Sequence, residues 1–308
     1  MASWQSRFIQ RLIRMTWDKS GGPSLEASRL RNREAKLAAR FAKVPRDVQV
    51  TRVMAGPVRA EWIEPAGAQF HRVIIYLHGG GYVMGSLDTH RNLVARIAAA
   101  ASARVLFLNY RLAPEHPFPA ALEDTLAAYR WLLMEGLDPA GIAFAGDQAG
   151  GGLALAAAIA LRDNRAPLPG VLVALSPWTD LALSGRTILR NSATDHTLSI
   201  ELMAYFAQSY LQGAVPTNPL ASPLYARLKG LPSLLIHAGA NEILRDDATR
   251  LAERALQAGV DVSVEIYAGQ PHAFQLFDML PEAEASVARI GAYIKSRTVS
   301  VPLRMAAE

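Results

Sequence analysis

The chain has 308 residues, of which 51% are hydrophobic and 19% are charged. This length allows one large domain or two smaller ones, and the apolar content excludes an intrinsically disordered chain. The absence of cysteine excludes disulfide bonds, thiolate metal sites, iron–sulfur clusters and cysteine nucleophiles. We therefore expect a globular protein with a sizeable buried core.

The formal net charge of +5 is concentrated near the N-terminus. Residues 1 to 50 hold 11 Lys or Arg against 4 Asp or Glu, and the rest of the chain has a small negative excess. Because the basic excess lies in one short segment without a basic repeat, we expect no nucleic-acid partner.

Residues 4–17 have the apolar spacing of an amphipathic helix, with arginines between the apolar positions. We expect this helix to pack on the body of the protein; a helix at a membrane surface and a transit peptide are less favoured alternatives. No uninterrupted apolar run has the length of a signal peptide or a membrane span. We expect a cytoplasmic protein without stable membrane insertion.

From about residue 48 the pattern becomes that of strands. Two half-buried strands, 48–53 and 58–63, predict an antiparallel start around a Gly-Pro turn. Short continuous apolar runs, typical of strands buried on both faces, follow at 73–77, 105–108, 142–145, 171–175 and 234–236, and a final strand is predicted at 262–267. Helical stretches alternate with them at 91–101, 119–133, 151–161 and 282–295. This alternation predicts an α/β fold with about eight strands in a mostly parallel sheet flanked by helices.

Two segments do not follow the alternation, and we interpret them as a cap. Residues 1–47 form an N-terminal helical cap segment in this interpretation, and residues 48–308 form the catalytic domain, with a cap insertion at about 181–231. Ligands of open parallel sheets bind at the carboxyl ends of the strands, so a cap over that edge would enclose a pocket.

The motif His78-Gly79-Gly80-Gly81 directly follows the predicted strand 73–77. Consecutive glycines let the backbone approach a ligand closely and turn its N–H groups toward a developing negative charge. A flexible tight turn is the alternative, but a strand followed by this motif is the context of the oxyanion loop in lipases and esterases.

A second motif, Gly146-Asp147-Gln148-Ala149-Gly150, lies between the predicted strand 142–145 and the helix that follows it. Its glycines have the spacing of a nucleophile elbow, a sharp strand-to-helix turn whose central residue is serine. Here the central residue is Gln148.

With these motifs the chain resembles the hormone-sensitive-lipase family of bacterial α/β-hydrolase carboxylesterases over nearly its whole length. The segments 176–180, 238–247 and 271–274 follow in the order of that family. The resemblance implies an α/β-hydrolase fold with a helical cap, with the base at His272, the acid position at Asn241 and the nucleophile position at Gln148. It further implies an oxyanion hole formed by the N–H groups of Gly80, Gly81 and Ala149, in a loop shaped by His78 and Gly79.

Two positions of this catalytic triad thus carry amides. A carboxamide has no proton that His272 could remove near neutral pH, so Gln148 cannot act as an activated hydroxyl. Asn241 lacks the charge that stabilises an imidazolium. Glu242 and Asp246 are less favoured as the acid, because a neighbour on a strand points to the opposite side. We expect a chain that is inactive or strongly impaired as an esterase.

Two other functions stay open beside this altered esterase. The site could use His272 as a base or nucleophile with the oxyanion hole, or the fold could serve as a non-catalytic small-molecule binding protein. We favour the esterase interpretation, because the glycine loop and the elbow keep a geometry that binding alone does not require.

The expected ligand is a small ester or another acyl compound. The expected lining of its pocket is apolar: Tyr82, Phe118, Trp178, Met203, Phe206 and Phe274. The sequence has neither a His-Glu-x-x-His metal motif nor the lysine of a phosphate-binding loop, so we expect no metal and no cofactor. A homodimer through the last strand, 262–267, is one assembly that the resemblance implies.

Overall fold

The central sheet contains eight strands among the residues that the computed structural model describes, which are 2–16, 26–41 and 44–298. The strand order is β1-β2-β4-β3-β5-β6-β7-β8. β2 is antiparallel to β1 and β4, and β3 to β8 pair in parallel, which confirms the predicted antiparallel start and mostly parallel sheet. The bounds are β1 Val48–Ala55, β2 Val58–Pro65, β3 Gln69–Leu77, β4 Ala103–Leu108, β5 Ile142–Asp147, β6 Val171–Leu175, β7 Ser233–Gly239 and β8 Val262–Tyr267.

Burial along the strands follows their place in the sheet. Every residue of the central strands β5 and β6 is buried, as the continuous apolar runs predicted. The edge strands β1 and β8 keep partly exposed faces. The carboxyl ends of β3 and β5 are adjacent, since Leu77 pairs with Gly146. The two glycine motifs therefore meet at one edge of the sheet.

Helices cover both faces of the sheet. In the described ranges they are α1 Trp4–Thr16, α2 Ala27–Phe41, α3 Leu87–Ala101, α4 Ala120–Met134, α5 Ala149–Asp163, α6 Thr187–Arg190, α7 Ile200–Leu211, α8 Arg245–Gln257 and α9 Pro281–Arg297. α3 and α9 share one apolar core with the sheet, and α4, α5 and α8 share the other. This arrangement confirms the predicted flanking helices.

The start of α3 differs from the sequence prediction. The helix begins at Leu87, four residues before the predicted start at 91, because Ser86 and Thr89 form a capping box. The Oγ of Ser86 accepts the N–H of Thr89, and the Oγ1 of Thr89 accepts the N–H of Ser86. This cap places the start of α3 shortly after the His78-Gly79-Gly80-Gly81 loop.

The segments predicted as cap contain helices that pack on the body. α1 and α2 lie within residues 1–47, and α7 lies within 181–231 and joins the larger apolar core. The division into cap and catalytic domain stays a prediction, and its parts at 17–25 and 299–308 lie outside the described residues. No helix in the described ranges is both long enough and apolar enough to cross a bilayer.

Candidate active site

Gln148 stands at a sharp turn between β5 and α5. Its backbone has φ 48° and ψ −113°, a conformation that L-residues rarely adopt, and its side chain is buried. A Cβ on Gly146 would lie 2.4 Å from the carbonyl carbon of Gly150, and a Cβ on Gly150 would lie 1.9 Å from the carbonyl oxygen of Leu77. The glycines on either side of Gln148 are thus required by the close approach of β3, β5 and α5.

The side-chain amide of Gln148 points into the glycine loop. Its Oε1 accepts hydrogen bonds from the N–H groups of Gly80 and Gly81, both at 2.7 Å. Its Nε2 lies 3.8 Å from the Sδ of Met203. Two backbone N–H groups converging on one oxygen are the arrangement that stabilises an oxyanion. The amide oxygen occupies this position, and Ala149 follows as the buried first residue of α5.

The glycine loop leaves no space for larger residues. Gly80 and Gly81 have φ values of +111° and +62°. A Cβ on Gly81 would lie 2.1 Å from the ring of Phe206, and one on Gly79 would lie 2.3 Å from the Oδ2 of Asp147. Positive φ and these close contacts together explain the run of three glycines.

The buried ring of His78 packs beneath the start of this glycine loop. The ring stacks on Tyr110 with 4.4 Å between centroids, and its Nδ1 lies 2.7 Å from the carbonyl oxygen of Gly79. The hydroxyl of Tyr110 donates to the carbonyl of His78 at 2.7 Å. Burial lowers the pKa of His78 to about 4, so the ring is neutral at neutral pH.

His272 forms a buried pair with Glu242. Its Nδ1 lies 2.7 Å from the Oε2 of Glu242, whose Oε1 accepts the N–H of Gly239 at 3.1 Å. Burial lowers the pKa of His272, but the hydrogen bond and the charge of Glu242, with smaller contributions from two other carboxylates, raise the pKa above its ordinary value. A carboxylate on Nδ1 leaves Nε2 free to accept a proton, as a general base requires.

The carboxylate that faces His272 thus belongs to Glu242, the neighbour of the expected acid position Asn241. The Nδ2 of Asn241 instead donates to the Oε1 of Gln10 at 3.4 Å. β7 ends at Gly239, and residues 240–244 form a turn, so the alternation of a strand does not apply to Glu242. Asp246 accepts the N–H of Thr187 at 3.1 Å. The sequence signal for this partner of His272 is the carboxylate of Glu242, which directly follows the expected acid position, Asn241.

A cavity of about 240 Å³ connects the elbow with His272. Gln148, Gly80 and His272 line it on the catalytic side. Its walls are mostly apolar and come from several elements: Ile13, Met84, Leu93, Leu198, Leu202, Phe206, Ala273, Leu276, Phe277 and Met279. No lysine or arginine among the described residues lines it.

Of the six predicted lining residues, Phe206 lines this cavity. The other five are buried or half-buried beside other side chains, and their part in a substrate pocket stays a prediction. Tyr82 stacks on Tyr210 with 3.7 Å between centroids, and Phe118 contacts the edge of the same ring. The rest are buried in apolar clusters: Trp178, Met203 and Phe274.

A buried polar cluster that the sequence did not indicate borders the cavity. His90 and Asp147 form an ion pair at 3.2 Å, and Tyr76 donates to the Oδ1 of Asp147 at 2.9 Å. Burial raises the pKa of Asp147, but the charge and hydrogen bond of His90 and the hydrogen bond from Tyr76 together lower the pKa below its ordinary value. Glu34 from α2 also lines the cavity. No three His, Asp or Glu side chains of the described segments cluster as metal ligands.

Comparisons with known proteins agree with this architecture. A family model described as alpha/beta hydrolase fold matches residues 74–276. An acetyl-hydrolase of Streptomyces hygroscopicus is 41% identical over 299 residues, which cover 97% of this chain and 98% of that protein. An esterase of Acinetobacter venetianus is 35% identical over 295 residues, which cover 95% and 97%. The crystal structure of an esterase from the bacterial hormone-sensitive lipase family has a TM-score of 0.92 and 44% identity, covering 97% of this chain and 100% of that chain.

The fold and these similarities define a carboxylesterase-type α/β hydrolase. The chain belongs to the bacterial hormone-sensitive-lipase family of carboxylesterases.

Proposed function

We propose that this chain is a carboxylesterase for small acyl esters in a form that Gln148 holds inactive. The observation that carries the proposal is the pair of 2.7 Å hydrogen bonds from Gly80 and Gly81 to the Oε1 of Gln148. An ester carbonyl cannot enter the oxyanion hole while the amide oxygen fills it. Gln148 also lacks the hydroxyl that would form an acyl-enzyme.

The rest of the hydrolytic machinery is in place. The buried pair of His272 and Glu242 supplies a base oriented by a carboxylate. The strained backbone at residue 148 directs whichever side chain stands there toward the glycine loop. One substitution at residue 148 is therefore sufficient for activity, and no change at Asn241 is needed.

The cavity favours small, uncharged acyl groups. Its volume of about 240 Å³ and its apolar walls suit a short aliphatic acyl chain. Its carboxylates, Glu34, Asp147 and Asp278, disfavour an anionic substrate. The names of the relatives, an acetyl-hydrolase and an esterase, agree with this substrate class.

The test is hydrolysis of p-nitrophenyl acetate by the chain and by its Gln148→Ser variant. We expect the serine variant to raise kcat by on the order of 10⁴-fold or more, because a missing nucleophile costs a serine hydrolase at least that much. Formation of p-nitrophenolate gives the rate, and circular dichroism shows that both proteins are folded.

Two matched variants make the result specific. Gln148→Ala empties the oxyanion hole without supplying a nucleophile, and we expect it to stay inactive. His272→Ala in the serine background should remove the gain. A folded Gln148→Ser variant with no more activity than Gln148→Ala would refute the proposal.

Binding without turnover is the second candidate, and the same two hydrogen bonds favour it, since they close the catalytic centre and leave the cavity open. Saturable binding of an ester without product would support it. A site that uses His272 with the oxyanion hole is disfavoured, because the hole is filled.

A further inference from the structure

The inner face of α1 fixes this helix on the body of the protein. Ser6 is fully buried, and its Oγ donates to the Oε1 of Gln270 at 3.0 Å. The Nε2 of Gln10 donates to the carbonyl of Gly269 at 2.8 Å. Ile9 packs in an apolar cluster with Phe274. α1 therefore presents a defined outer face.

That outer face is apolar and exposed. Trp4, Phe8 and Met15 are 67%, 59% and 74% exposed. At 3.6 residues per turn, these three positions fall within about 40° of arc, opposite the buried positions Ser6 and Ile9. The helix thus has two apolar sides, of which the body covers one. Burial in the core accounts for Ile9 but not for the exposed stripe.

The charges beside the stripe have one sign. Arg7, Arg11 and Arg14 are exposed and lie along one flank of Trp4 and Phe8, and α1 has no acidic residue. Among the described residues none of these three guanidinium groups forms a salt bridge. A second copy of this chain would bring like charges together, whereas an anionic surface complements them.

We propose that α1 binds the surface of a membrane with anionic head groups. Trp4, Phe8 and Met15 enter the interface, where aromatic and apolar side chains are favoured, and the three arginines contact lipid phosphates. Ile13, on the same helix, lines the cavity. The bound helix would therefore hold the cavity within about one helix diameter, roughly 10 Å, of the lipid surface.

The test is sedimentation of the full chain with vesicles, and it needs no catalytic activity. We expect binding to vesicles of phosphatidylcholine with phosphatidylglycerol and much weaker binding to pure phosphatidylcholine. Replacement of Arg7, Arg11 and Arg14 by Gln should weaken binding about 100-fold, because each basic residue near such a surface contributes roughly fivefold. The triple variant Trp4→Ala, Phe8→Ala, Met15→Ala should lose binding to both vesicle types.

A matched control removes exposed apolar side chains elsewhere. Met134, Leu189 and Val215 are 77%, 74% and 63% exposed, and their replacement by Ala should leave vesicle binding unchanged. Loss of binding in the arginine variant would not be explained by misfolding, because this variant keeps the buried contacts of Ser6 and Ile9. The proposal would be overturned if the chain did not bind vesicles, or if the α1 variants bound them as well as the unmodified chain. It would also be overturned if the chain formed a dimer that the α1 variants dissociate and showed no vesicle binding.

Discussion

Gln148 combines a strained backbone with a satisfied side chain. Its left-handed φ is maintained by the packing of β3, β5 and α5, and does not depend on the chemistry of the side chain. Its amide oxygen has two donors that a buried loop would otherwise leave without a protein partner. In the proposed function, a glutamine at the nucleophile position thus preserves the hydrogen bonds of the loop while it supplies no reactive group.

Glu242 should control the rate once a nucleophile is present. In the Gln148→Ser background we expect Glu242→Gln to lower kcat by about 10⁴-fold, because an amide at this position fails to stabilise the imidazolium of His272. Asn241→Asp is the matched control, and we expect it to change kcat less than about threefold, since Asn241 faces Gln10. Steady-state ester hydrolysis measures both effects. A large gain from Asn241→Asp with no loss from Glu242→Gln would return the acid to Asn241.

The pH dependence of kcat/KM tests the same pair of His272 and Glu242. Glu242 raises the pKa of His272, so kcat/KM of the Gln148→Ser variant should fall as the pH drops through this raised pKa, where the base becomes protonated. Burial lowers the pKa of His272, and Glu242→Gln removes the largest raising contributions while the weaker ones of Asp195 and Asp147 remain. We expect the acidic limb to move to lower pH, and an unmoved limb would contradict the assignment.

At the scale of elements, α5 reaches the sheet through its glycines. A Cβ at Gly150 would lie 1.9 Å from the backbone oxygen of Leu77, which cannot move without disturbing β3. At the neighbouring Gly151 the closest atoms, in Gly146 and Pro177, would lie 3.1 Å away. Gly150 and Gly151 therefore differ in how well each position tolerates an added Cβ.

We expect Gly150→Ala to lower the free energy of unfolding by about 3 kcal/mol, because overpacking against backbone forces α5 away from the sheet. Gly151→Ala should change it by about 1 kcal/mol or less, since a small shift suffices and alanine favours the helix. Urea denaturation of both variants decides the point. Equal effects would show that α5 can move as a unit.

At the scale of the whole molecule, α2 binds the glycine loop and the residues that follow it. The Nε of Arg31 donates to the carbonyl of Val83 at 2.7 Å, and its guanidinium also binds the carbonyl of Ala113 and the carboxylate of Glu115. Glu34 accepts the N–H of Gly85 at 2.7 Å. Residues far apart in the sequence thus support the loop that carries Gly80 and Gly81.

Arg31→Ala should destabilise the protein by about 2 kcal/mol, because two carbonyl groups lose a charged donor. Arg29 on the same helix pairs with Glu26 in an exposed salt bridge, and Arg29→Ala should change stability by less than about 0.5 kcal/mol. Thermal and urea unfolding compare the two variants. If both substitutions lower the free energy of unfolding by the same amount, the contact of Arg31 with the loop does not stabilise the protein.

Much of the fold could be predicted because its signals are local. Continuous apolar runs located β3 to β7, and glycine spacing located the loop and the turn at Gln148. The start of α3 was predicted too late, because the apolar period does not report the capping box of Ser86. The lining of the cavity could not be predicted from the sequence, since an apolar side chain such as Trp178 suits a core as well as a cavity.

The sequence alone determined the fold class, and it predicted the residue at the sharp turn and the histidine of the proposed site, because each depends on patterns within short segments. Only the tertiary structure decided that Glu242 faces His272 and that the amide oxygen of Gln148 accepts the N–H groups of Gly80 and Gly81. The first depends on where β7 ends and on the shape of the following turn. The second depends on the approach of two segments 67 residues apart, which no local pattern records.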